Sequence, residues 1–225
     1  MHAQNDGSIP MSLRTSYLAA AAVLAERDPV MASLVATAGP MRLRNQKDTH
    51  FAALVQSIVY QQLAGRAAAA IHGRLITALD GRVEPGALLA LADAQMRAAG
   101  LSANKTASLR DLAGKVLDGT VILEPHRLAR VPDDEVVTRL TAVRGIGEWT
   151  AHMFLLFQLR RIDVWPTGDL GVRKGYGLAW SVPMPTPKHL WVLGEPFRPY
   201  RSVAAWYCWR AVEIYAGAAE SAVTG

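Results

Sequence analysis

The chain has 225 residues, half of them apolar, with 24 Lys and Arg against 19 Asp and Glu and a formal net charge of +5. Such a length and composition suit one globular domain or two small ones, and they exclude a disordered or fibrous chain. The basic balance favours an anionic partner. Cys208 is the only cysteine, which excludes an intrachain disulfide and the four thiolates of an iron–sulfur cluster. The six histidines are scattered without metal-ligand spacing. The opening MHAQNDGSIP lacks a basic region followed by an apolar run, and the stretch around 153–159 is too short to cross a bilayer. A cytoplasmic protein is expected.

In chain order, nearly every segment carries helical signals. Asp28-Pro29 pairs an N-cap with proline at the first helical position, dividing helices near 15–27 and 29–38. Phe51, Leu54, Val55, Ile58 and Val59 recur on one helix face behind Asp48 or Thr49 as cap. An alanine-rich helix is expected from Ala64 to Leu79, a short one opens at Glu84-Pro85, and another runs from Asp93 to a glycine stop at Gly100. Ser102 caps a helix with the stripe Leu109, Leu112, Ala113, Val116 and Leu117. Further helices are expected from Pro132-Asp133 to about Val143, from Glu148 to Leu159, after Thr186-Pro187, and from Ser202 to Tyr215. Thr120 to Leu123 alone hints at a strand. The architecture is therefore expected to be all-α, with roughly ten helices in two lobes, the chain passing between them near 80–87, 160–170 or 180–187.

Two segments carry chemistry. In Leu140-Thr-Ala-Val-Arg-Gly-Ile-Gly-Glu-Trp-Thr-Ala151, a turn with Gly145 and Gly147 joins two helices. The glycines permit positive φ and close approach of a partner, Ile146 packs back between the helices, and the following helix N-terminus suits a phosphate oxygen. A tight helix–helix connection explains the turn alone equally well. Further on, Pro166-Thr-Gly-Asp-Leu-Gly171 places Asp169 at a helix start, 22 residues beyond Gly147. An isolated carboxylate there is usually a cap.

Together these segments resemble the helix-hairpin-helix DNA glycosylases of the Gly-Pro-Asp superfamily. Pro166-Thr-Gly-Asp-Leu-Gly171 and Phe197-Arg-Pro-Tyr-Arg-Ser-Val-Ala-Ala-Trp-Tyr-Cys-Trp-Arg210 are most similar to the 3-methyladenine DNA glycosylase II group. The resemblance spans about Tyr17 to Tyr215, without the N-terminal β domain of larger members. It implies two helical lobes around a DNA-binding cleft: a middle lobe of approximately 45–130, and a second of approximately 1–44 plus 131–225 that carries the hairpin, the catalytic aspartate and both termini. It also implies a monofunctional enzyme of base excision repair, a monomeric hydrolase that flips alkylated purines of the 3-methyladenine and 7-methylguanine type out of duplex DNA and leaves an abasic site. The setting would be the bacterial cytoplasm, at the nucleoid.

On that resemblance Asp169 is the catalytic carboxylate, with Asp163 a structural fallback. Trp149 occupies the slot in which strand-cleaving relatives carry a lysine nucleophile, which argues against lyase chemistry. It is either core or a pocket wall stacking on an electron-poor base. Tyr60, Met153, Phe51 and Phe197 complete the expected nucleobase pocket, Phe197 standing where the group usually has tryptophan. Gln62 or Leu63 is the wedge that fills the gap left by the flipped nucleotide. Arg144, Gly145, Ile146, Gly147 and Thr150 grip the DNA backbone, and Ser102, Lys105, Arg66, Arg173 and Lys174 add contacts, although each basic residue alone is also an ordinary surface charge. Trp206 and Trp209 are read as core. No cofactor is required, no iron–sulfur cluster is expected, and the hairpin carbonyls are a site for a Na⁺ or K⁺ ion without side-chain ligands. Passive DNA-binding and bifunctional readings remain open at this point.

Overall fold

The computed structural model describes residues 11–43 and 46–223, and among these it is all-α, with no strand. The chain divides into two compact units, one of residues 1–46 with 160–225 and the other of 47–159. This division differs from the sequence expectation. Residues 131–159, with the hairpin, belong with the middle segment and not with the unit that carries Asp169. Of the three expected crossing points only the one beginning at Arg160 matches. No helix among the described residues is long and apolar enough to cross a membrane.

The first unit is built from α1 (Met11–Arg27), α2 (Pro29–Ala38), α11 (Leu170–Ala179), α12 (Pro187–Leu193) and α13 (Arg201–Val223). Asp28 caps α2 by accepting from the amides of Val30 and Met31, at 2.8 and 2.9 Å. Its other oxygen accepts the indole N–H of Trp180. Helix α13 packs on α1, α2 and α11 through Val203, Ala204, Ala205, Tyr207, Cys208 and Ala211, all inaccessible to solvent. The small residues let the backbones approach closely. A Cβ on Gly175 would sit 1.8 Å from the carbonyl oxygen of Cys208, so only glycine fits there.

The second unit contains α3 (His50–Tyr60), α4 (Gly65–Ala78), α5 (Pro85–Ala90), α6 (Asp93–Ala98), α7 (Ala103–Leu117), α8 (Pro125–Leu128), α9 (Asp133–Thr141) and α10 (Glu148–Met153). Helix α10 continues into a π turn, Phe154–Gln158, in which the Leu159 amide reaches back five residues to the Phe154 carbonyl. The sequence stripe runs unbroken through 148–159 and gives no sign of this extra residue. Leu54, Ile58, Leu75, Leu109, Leu112, Leu140 and Leu155 form the core. Thr49, Ser102 and Thr186 accept first-turn amides as expected of caps. The suspected strand at 120–123 is instead a turn and coil, in which Val121 and Leu123 are buried and the Val121 amide bonds to the Lys115 carbonyl.

Asp163 is structural. Its carboxylate accepts from Nε and a terminal nitrogen of Arg201, at 2.8 and 3.0 Å, and from Arg198 at 2.9 Å. The Arg201 side chain is 9% exposed, so removing Asp163 leaves a buried cation with only the longer Glu195 pair, at 3.9 Å. Asp163→Ala is expected to lower unfolding stability by about 3–5 kcal/mol in urea titration; a loss under about 1 kcal/mol, the worth of an exposed pair, would contradict the buried-pair account.

Candidate active site

Asp169 is the N-cap of α11, and one carboxylate oxygen, Oδ1, accepts the Val172 amide at 2.8 Å. The capping role is therefore real. The same oxygen also accepts the indole N–H of Trp209, on α13, at 2.8 Å. An N-cap needs only the amide; the second donor fixes the carboxylate from a different helix. The residue is 8% exposed. Trp209, read from sequence as core, is thus a partner of the candidate catalytic group. What admits it is Gly171, whose Cβ would lie 2.7 Å from the Trp209 ring and 3.1 Å from Asp169 Oδ1. The two glycines of Leu170-Gly-Val-Arg-Lys-Gly175, four residues apart on one helix face, were the available signal that a bulky neighbour must come close. Cys208 beside them is fully buried, and burial, with the Asp169 charge secondary, pushes its thiol up and keeps it protonated.

In the hairpin, Gly145 takes φ +78°, and a Cβ there would meet Ser108 Oγ at 2.6 Å. Gly147 does not share that conformation. It is an extended N-cap at φ −96°, and a Cβ on it meets nothing within 4 Å. Its lack of a side chain answers no internal crowding and leaves the start of α10 open to close approach from outside. No side chain caps that helix start. Ile146 is buried, as its position between the helices requires, and Thr150 is buried too, so that residue reaches a partner only through its backbone. Arg144 is exposed; its amide bonds to Asp111 Oδ2 at 2.7 Å and its guanidinium to Asn104 at 3.1 Å.

The expected pocket residues fall into two groups. Trp149 is 50% exposed at the start of α10, which removes the core alternative. Tyr60 and Met153 are half-buried, Tyr60 edge-on to His72. Phe51 and Phe197 are both buried. Phe51 packs in the core of its unit, and Phe197 is buried in an aromatic cluster with Trp165, Tyr176 and Trp180. Burial in that cluster, ahead of the nearby Cys208 and Asp28, pushes the Tyr176 phenol up to about 12. Asp169 and Phe197 lie in the first unit, and the remaining pocket candidates in the second.

Gln62 and Leu63, the wedge candidates, are both exposed just beyond α3, with Gln62 at φ +58°. Among the basic residues, Arg66 and Lys174 are exposed. Arg173 is tied down, its Nε donating to the Pro185 carbonyl at 2.8 Å. Ser102 acts as the α7 cap, and Lys105 is not a free surface charge: its ammonium donates to the carbonyls of Val59 and Gln61.

These elements define an all-helical protein with a glycine-turned hairpin and a carboxylate fixed at a later helix start. The chain belongs to the HhH-GPD superfamily of base excision DNA repair proteins, whose family model matches residues 55–195. It is 33% identical over 187 residues to DNA-3-methyladenine glycosylase 1 of Schizosaccharomyces pombe, covering 82% of this chain and 81% of that one. Among solved structures it is similar to a DNA-3-methyladenine glycosidase from Bacillus halodurans, with TM-score 0.78, 34% identity, and coverage of 85% and 88% of the two chains. It is also similar to the S. pombe 3-methyladenine DNA glycosylase Mag1 in complex with abasic DNA, with TM-score 0.72, 32% identity, and coverage of 85% and 95%.

Gly171→Ala is expected to push the Trp209 indole off Asp169 and to destabilise the fold by about 1–3 kcal/mol. Urea denaturation followed by tryptophan fluorescence measures it, and wild-type stability would show that the indole has room to spare.

Proposed function

We propose that this protein excises alkylated purines of the 3-methyladenine and 7-methylguanine type from duplex DNA, leaving an abasic site. The observation that carries the reading is the Asp169 carboxylate, held by the Val172 amide and the Trp209 indole in a chain of the HhH-GPD superfamily. Breaking the bond between the base and C1′ builds positive charge on the deoxyribose. A carboxylate fixed beneath that sugar stabilises the developing oxocarbenium ion and orients the water that attacks it. Bases alkylated at N3 or N7 already carry positive charge and leave easily, so little acid catalysis is required. Trp149 stacks on the flipped base through π and cation–π attraction.

The enzyme acts by hydrolysis alone, as a monomer of the bacterial cytoplasm. A lyase needs an amine nucleophile that forms a Schiff base, and the hairpin slot holds Trp149. No redox cofactor enters the scheme. The hairpin offers main-chain carbonyls, the donor class that Na⁺ or K⁺ accepts; those of Val143 and Gly145 each take one hydrogen bond and keep a second lone pair. A cation held there would add positive charge toward a phosphate.

Asp169→Asn is expected to keep the fold and duplex binding and to lower 3-methyladenine release from methylated DNA by at least about a hundredfold, the scale of a lost electrostatic stabiliser. Base release at the wild-type rate would overturn the assignment. Trp209→Phe should lower the single-turnover rate while leaving duplex affinity unchanged, since the lost hydrogen bond acts only on the carboxylate. For hydrolysis alone, borohydride treatment of the wild-type reaction should trap no protein–DNA adduct, and a trapped adduct would establish lyase chemistry.

A further inference from the structure

The polar face of α7 presents Asn104, Lys105, Ser108 and Asp111, at helical spacing, to two pieces of chain remote in sequence. One is the end of α3, where the last carbonyls of a helix lack partners and a cation is favoured. The Lys105 ammonium donates there to the carbonyls of Val59 and Gln61, at 2.5 and 2.9 Å. The other is the hairpin turn. Asp111 holds the Arg144 amide, Asn104 holds the Arg144 guanidinium, and Ser108 Oγ fills the space beside Gly145. Gln61 closes the circuit, its side-chain amide donating to the Gly145 carbonyl at 2.9 Å.

Electrostatics agree with a committed network. Burial lowers the Lys105 ammonium from the ordinary lysine value. Burial alone would raise the Asp111 carboxyl, but hydrogen bonds from Lys115 and the Arg144 amide outweigh it and hold it below the usual carboxylate range. Directly past Gln61 the chain turns through Gln62, at φ +58°, into Leu63. For a side-chain-bearing residue that conformation costs roughly 1–2 kcal/mol, and it persists only where the surroundings over-determine it.

We infer that Lys105 is a positioning residue that locks the wedge to the hairpin, so that gripping the strand and filling the vacated stack are done by one rigid device. This rests on the glycosylase reading, because Gln62 and Leu63 are a wedge only if a nucleotide is extruded. It also reassigns Lys105, which contributes to DNA recognition without touching a phosphate.

The test uses the full chain and two duplexes of one sequence: one unmodified, one with a tetrahydrofuran abasic site opposite 2-aminopurine. Lys105→Met keeps the aliphatic stem and removes the donor. It should leave unmodified-duplex affinity and its salt slope unchanged, while abasic-duplex affinity falls by about tenfold, the scale of a lost charge-assisted hydrogen bond, and the 2-aminopurine signal falls with it. Gln61→Ala should act in the same direction, and the double variant should be no worse than the stronger single one, as expected of coupled residues. Several results would overturn the inference: an undiminished abasic preference in either folded variant, additive losses, or a salt slope shallower by about one in Lys105→Met, the mark of a phosphate contact. If Lys105→Met does not fold, Gln61→Ala alone decides. Should the wild type itself show no preference for the abasic duplex, the glycosylase reading fails along with it.

Discussion

A single carboxylate oxygen, Asp169 Oδ1, receives both the first-turn amide of α11 and the indole of a tryptophan on α13. That convergence requires two helices at near backbone contact. The glycines at 171 and 175 provide it: one makes room for the Trp209 ring and the other lets α11 rest against the main chain at Cys208. The fully buried alanines of α13 and the Asp163–Arg201 pair at its start hold the same helix in place. In the proposed reaction, a carboxylate that stabilises a positive sugar acts best when it does not reorganise. The packing of the first unit supplies that rigidity before any substrate arrives.

The second unit carries the hairpin, whose proposed task is to meet a charged polymer closely. Its two hairpin glycines have separate duties. Gly145 is required by its own neighbours and its left-handed backbone, whereas Gly147 is required by nothing inside the protein. A bare backbone with open space before it suits the approach of a phosphate. The exposed ring of Trp149 lies two residues further on.

Local chemistry was the most legible part of the sequence. Caps at Asp28 and Ser102, the choice of Asp48 or Thr49 before α3, and the stripe on α3 can be read directly, because each depends on residues within one turn of one another. The hairpin shows in its two turn glycines, and the role of Asp169 follows from the family resemblance. What escaped depends on contacts between distant segments. Phe197 and Phe51 have the ring chemistry of pocket walls, but burial is decided by what packs against them. Lys105 has the charge of a phosphate contact, but helix-end carbonyls brought to it by the fold claim that charge. Trp209 is the opposite case: its apolar helix suggests core, but its hydrogen-bond partner lies 40 residues earlier. The boundary between the units depends on similar contacts: the hairpin helices carry no label saying which core they join.

The π turn at Phe154–Gln158 bears on how such chains change length. An α-helix advances by about 100° per residue, so inserting or deleting one residue normally swings everything downstream onto another face. A π turn holds one residue more than the ladder needs. Loss of a residue from 154–158 would let the segment revert to ordinary α geometry while the flanking helix and the chain leading to Asp169 kept their phase. The helix between hairpin and carboxylate thus has a built-in slot for one-residue length variation, and homologous chains a residue shorter there are expected to run straight.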